Sequence, residues 1–133
     1  MKTGDLNVLG VLTGPVASIG FVIDGGGVAI STGIKGDIEV PFACTITQVT
    51  LLADQSCTCV LDIWKDTYAN FPPTVADTIT AAAKPGMTAG LKDQDSTLTG
   101  WTKAIAAGNI LRFNVDSNNT ATRITVSLKV SKA

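Results

Sequence analysis

The feature that most constrains this chain is a strict two-residue alternation at its C-terminal end. Ile124, Val126, Leu128 and Val130 interleave with Arg123, Thr125, Ser127 and Lys129. Successive side chains point to opposite faces only in an extended strand, so this pattern predicts a strand with one buried and one wet face. Just upstream, Leu111, Phe113 and Val115 alternate with Arg112, Asn114 and Asp116, and Ser117-Asn118-Asn119-Thr120 supplies polar turn residues. The pair reads as an antiparallel hairpin. A second hairpin is expected from Thr45–Leu52 and Cys57–Trp64, joined by the polar tetrad Ala53-Asp54-Gln55-Ser56. In its second strand Cys57, Cys59, Leu61 and Ile63 share one face, and Thr58, Val60, Asp62 and Trp64 the other.

Further strands are expected at Ile19–Asp24 and Asp37–Val40, separated by a loop that opens on Gly25-Gly26-Gly27 as a permissive turn. Between Lys65 and Gly108 the pattern loosens around Pro72-Pro73, Lys84-Pro85-Gly86 and the polar run 92–96. Thr78–Ala82 reads as another strand, and Leu98–Trp101 as a loop or short strand packed on the core. Hydrophobic residues make up 45% and charged residues 16% of the 133 residues. That balance favours short strands over solvated helices. A chain of this size buries roughly two-thirds of its unfolded surface, enough for one core. The expectation is an all-β protein, a single antiparallel β-sandwich of jelly-roll-like character over residues 19–133, preceded by an N-terminal arm over residues 1–18.

Several function classes are excluded or weakened by composition. There is no histidine, so no Ser-His-Asp set, no Cys-His pair and no His-containing zinc motif can be assembled from these residues. No catalytic residue, cofactor or metal ligand is assigned. Cys57 and Cys59 fall on the apolar face, where free cysteine serves as a small hydrophobe, and an odd count of three cysteines fits a reducing cytosol at synthesis. Asp93 and Asp95 lack the later Gly and Glu of a calcium loop and read as surface loop. A net charge of -1 with scattered basic residues argues against nucleic-acid binding. The uncharged stretch Leu6–Ile23 contains Asn7, Gly10, Pro15 and Gly20, which argues against membrane insertion.

The most suggestive cluster is Asp62, Trp64, Lys65, Asp66, Tyr68, Asn70 and Phe71, which mixes aromatic surface with polar groups where a strand passes into a loop. Three roles fit it: packing within the chain, an oligomer interface, or a platform for a sugar. In the arm, Leu6, Val8, Leu9, Val11 and Leu12 are candidates for attachment to a neighbouring surface.

Three segments carry a family resemblance. Gly33-Ile34-Lys35-Gly36-Asp37-Ile38-Glu39-Val40-Pro41-Phe42-Ala43-Cys44-Thr45-Ile46, Asp62-Ile63-Trp64-Lys65-Asp66-Thr67-Tyr68-Ala69-Asn70-Phe71-Pro72-Pro73-Thr74, and Leu98-Thr99-Gly100-Trp101-Thr102 with the later Leu111–Asp116 resemble tailed-bacteriophage and prophage virion structural proteins. The likeness runs over roughly Ile19–Val130, with Cys57-Thr58-Cys59 departing from the small polar or Gly-containing turn of that pattern. It implies a non-enzymatic virion protein made in the host cytoplasm, in a homo-oligomer, with a trimer as the expected number. Two roles follow from it. One is a capsid decoration (cement) protein, with the major capsid protein as partner. The other is a tail-fibre or receptor-binding tip that recognises a host-surface glycan.

Overall fold

The computed structural model describes residues 14–133. Its strands are β1 (Val16–Asp24), β2 (Gly33–Val40), β3 (Cys44–Asp66), β4 (Gly86–Asp95), β5 (Ala104–Ile105), β6 (Asn109–Asn118) and β7 (Arg123–Lys132), with one 3-10 turn at Val75–Asp77. All strand pairs are antiparallel. The order is β1-β7-β3-β6-β2, with β4 and β5 along the opposite edge of β3.

β3 organises the sandwich. Its first part, Cys44–Ala53, pairs with β7, and its last part, Cys59–Asp66, pairs with β6. β4 follows the same course, its end pairing with Val49–Leu52 and its start with Cys57–Val60. β3, β4 and the β6–β7 run therefore pass from one layer to the other, with bulges between Ile46 and Gln48 and between Val60 and Leu61. Corners made by bent strands of this kind let one curled sheet face itself. The layers meet at Phe21 of β1 and Phe113 of β6, whose rings stack 4.5 Å apart and 3° from parallel. Gly36 of β2 leaves the room that Phe21 needs, since a Cβ there would lie 2.5 Å from its Cζ.

The inward residues are those the alternation marked. Leu111, Phe113 and Val115, the β7 set from Ile124 to Val130, and Cys57, Cys59, Leu61 and Ile63 all belong to the buried core. Leu98 and Trp101 pack from a loop, as expected, and the Trp101 indole N–H donates to Ala83 O at 2.8 Å. The triple glycine is a turn, with Gly26 and Gly27 at φ +71° and +90°.

Several expectations are corrected. Ala53-Asp54-Gln55-Ser56 is not a turn but the middle of β3. Its polar groups clamp the β6–β7 connection: Asp54 Oδ1 accepts from Thr122 N at 2.9 Å and Arg123 N at 3.0 Å, and Gln55 donates to Thr120 O. β6 and β7 are both strands but not a hairpin. They lie end to end along one edge of β3, because each finds its buried partner face there. Thr78–Ala82 is not a strand; Thr78 makes one isolated bridge to Trp64 and the chain then turns. Residues 92–95, read as loop, belong to β4, where Met87 is the one buried residue and no alternation could show. β1 begins at Val16, so Val16, Ala17 and Ser18 belong to the sheet and not to an arm. Leu6, Val8, Leu9, Val11 and Leu12 lie outside the described residues. Among the described residues no helix is long and apolar enough to cross a membrane.

Candidate functional site

The structure divides the Asp62–Phe71 cluster in two. Asp62 and Trp64 point away from the main core, yet they are 1% and 9% exposed because the segment Thr78–Lys84 lies over them. Asp62 Oδ1 accepts from Thr78 Oγ1 at 2.6 Å, Thr80 Oγ1 at 2.8 Å and Ile63 N at 2.8 Å. Lys84 Nζ sits 3.6 Å from Asp62 Oδ2 and 2.7 Å from Asp116 Oδ2. Burial pushes the Asp62 pKa up, but the hydroxyls of Thr78 and Thr80, the Trp64 indole and the Ile63 amide outweigh it and hold the carboxyl below its ordinary value. The indole favours the carboxylate without closing a hydrogen bond: Asp62 Oδ2 and Trp64 Nε1 have no hydrogen-bond partner. Asp62 and Trp64 are thus parts of a buried anchor for the covering segment and are closed to a ligand.

Lys65 donates from Nζ to Ala104 O, tying β3 to β5. Burial lowers its pKa, with the neighbouring Cys44 acting in the opposite direction. Asp66 and Asn70 shape the loop: Asp66 Oδ1 accepts from Thr67 N at 2.7 Å and Asn70 Nδ2 at 3.3 Å, and Asn70 N donates to Thr67 O at 3.2 Å.

What that loop presents is aromatic. Tyr68 is 78% and Phe71 47% exposed. With Asp37, Ile38 and Glu39 of β2 and Ile110 of β6 they line an open depression. Arg112 braces it: its Nε and Nη2 donate to the two carboxylate oxygens of Asp37 at 2.7 and 3.1 Å, and its Cζ lies 5.3 Å from the centre of the Phe71 ring. Such a bidentate pair is geometrically rigid. Asp37 and Arg112 are 75 residues apart, and alternation places each on a wet face without relating them. No local signal marks Asp37, Glu39, Ile110 or Arg112 as members of one surface.

A second surface is the outer face of the layer formed by β1, β7, β3 and β4. The registers align Val22, Thr125, Leu52 and Lys92 in one row and Gly20, Ser127, Thr50 and Gln94 in the next. Val16, Val22 and Leu52 are about half exposed or more on this face, at 68%, 54% and 49%. Among the described residues no group of three His, Cys, Asp or Glu side chains is placed to hold a metal ion.

No family model and no curated protein matches the chain. Among solved structures it is similar over 90% of its length to a serine protease of Aeromonas sobria, at 11% identity and a TM-score of 0.36. It is also similar to the infectious bursal disease virus structures of the Gx and Gt strains, over 91% and 89% of its length, at 16% and 15% identity and TM-scores of 0.32 and 0.29. The chain spans 27% of the protease chain and 32% and 30% of the viral chains. Likenesses this distant carry neither a family nor an activity to this chain.

Proposed function

We propose that this chain is a non-enzymatic surface module of a tailed-phage particle, and that it decorates the capsid by binding the outside of the shell. The phage setting rests on the sequence resemblance. The observation that carries the decoration role is the outer β1-β7-β3-β4 face, a mostly uncharged surface from which Val16, Val22 and Leu52 stand out to solvent. Exposed aliphatics on an open sheet face suit repeated shallow contacts, whose strength comes from many copies on a symmetric shell. The non-enzymatic reading is supported by the lack of histidine and by the structural commitments of Asp62 and Asp66.

Immunogold labelling of intact particles is expected to mark heads; label confined to the tail would overturn the decoration role. On isolated shells, Leu52→Glu should weaken attachment about tenfold or more, because it sets a charge against a desolvated contact. A chain lacking residues 1–13 keeps β1 whole and should stay folded while attaching less well. Attachment of both variants at the level of the unaltered protein would remove this face and the N-terminal segment from the interaction.

A second reading, a receptor-binding tip for a glycan, is favoured by the exposed Tyr68 and Phe71 rings. A sugar stacks its C–H face on such rings and hydrogen-bonds to flanking carboxylates. On this reading the double variant Tyr68→Ala/Phe71→Ala abolishes glycan-array binding and leaves the melting temperature unchanged. Retained binding would eliminate the depression as a sugar site. Trp64→Ala is no test of it, since that ring is buried and its loss destabilises the fold.

A further inference from the structure

Edge strands are templates for pairing with another chain, and natural proteins guard them with charge, proline or bulges. β2 is guarded by a bulge between Ile34 and Gly36 and by Lys35 and Asp37. β4 is guarded by two register shifts against β3 and by Lys92, Asp93 and Asp95. β1 has no bulge, and its one charged residue, Asp24, stands at its last position. It pairs with β7 through nine successive residues without a shift, and between Pro15 and Asp24 it carries no charge.

The direction of its backbone groups follows from its two ends. Pro15 O accepts from Lys132 N at 2.8 Å and Gly25 N donates to Thr122 O at 2.7 Å, so odd-numbered residues turn their N–H and C=O toward β7. The N–H and C=O of Val16, Ser18, Gly20 and Val22 therefore face the other edge, where no described residue pairs with them. The side chains of the same four residues lie on the outer face, and those of Val16 and Val22 are 68% and 54% exposed.

We propose that the open edge of β1 joins two copies of this chain, β1 to β1, antiparallel about a two-fold axis at Ile19. The register is set by chemistry. With Ile19 opposite Ile19 of the second copy, Val16 falls opposite Val22 and Ser18 opposite Gly20, so the exposed valines cover one another. Val16, Ser18, Gly20 and Val22 then each meet an outward-facing residue, as a ladder requires, and about eight inter-chain hydrogen bonds close. The contact is isologous, so it closes at two copies and uses up the β1 edge of both, leaving only the guarded edges of β2 and β4. The proposal is independent of the particle reading.

The test is sedimentation equilibrium of the full chain beside two variants. The unaltered protein should be a dimer at micromolar concentration. Ser18→Pro removes an N–H that faces away from β7 and places a ring on the open edge, so it should be a folded monomer with an unchanged strand signal in circular dichroism. Val22→Lys, which leaves the backbone intact, should weaken the dimer at least tenfold. A monomeric unaltered protein overturns the proposal, and so does any oligomer, trimer included, that persists in both variants. A chain lacking residues 1–12 that dimerises when the full chain does not would assign the edge to that segment and overturn the proposal equally.

Discussion

Asp62→Ala will destabilise the fold by about 3–5 kcal/mol, because it strips a buried carboxylate from partners that cannot replace it. Thr78 Oγ1 and Thr80 Oγ1 both donate to Oδ1, and Lys84 has its charge 3.6 Å from Oδ2. These contacts fasten a segment with little regular structure, from Thr78 to Lys84, over the outer side of β3. The loss should appear as a lower urea midpoint, with Trp64 fluorescence shifting toward that of a wetter indole as the cover loosens. Asp62→Asn keeps an acceptor for the two threonines and should lose less. It should also alter the acid limb of the stability profile. The folded carboxyl has a pKa below its ordinary 3.8, so its contribution is complete above that value and is lost as pH falls through the lowered folded value. The asparagine variant should therefore show a flatter fall in stability below pH 3.8 than the unaltered protein. Equal acid limbs in the two proteins would show that Asp62 is not held as a carboxylate.

Phe113→Ala will remove a comparable amount, about 3–5 kcal/mol, for a different reason. The ring is 2% exposed and stacks on Phe21 across the two layers. Its removal forfeits the burial of the ring, leaves a cavity between layers that bulged strands hold apart, and ends an aromatic contact of about 0.5–1.5 kcal/mol. Phe71→Ala is the matched control. That ring is 47% exposed, and its loss should change stability by no more than about 0.5 kcal/mol. Similar unfolding midpoints for the two variants would contradict the assignment of Phe113 to the centre of the sandwich.

Much of the strand content was legible in the residues because the period of two is a local property. Ile124–Val130 and Leu111–Val115 alternate, and each alternate residue is buried. Cys57, Cys59, Leu61 and Ile63 turned inward together, as their spacing requires. β4 left no such trace, since nearly all of its side chains meet solvent and its existence depends on hydrogen bonds to β3. The tetrad at 53–56 has turn-forming side chains that serve a different turn, the one between β6 and β7. A residue type that satisfies backbone groups does so for whichever chain segment lies nearest.

The candidate cluster shows the same division. Its aromatic and acidic character could be read directly, and so could its place at the end of a strand. Which members face water depended on Thr78–Lys84, a segment that covers Asp62 and Trp64 and leaves Tyr68 and Phe71 in the open. The joining of Phe71 to Arg112 and Asp37 depended on the pairing of β2 with β6. The residues by themselves determined that this chain is all-β, which side chains of its strongest strands turn inward, and which chemistry its lack of histidine removes, since each of these follows from side-chain identity and nearest-neighbour geometry. Tertiary structure alone decided that β3 runs unbroken through both layers, that β6 and β7 lie end to end beside it, and that Asp62 is an anchor and Tyr68 an exposed ring. Strand pairing and burial are collective: each strand takes the partner that covers its apolar face, and that partner is set by the whole chain.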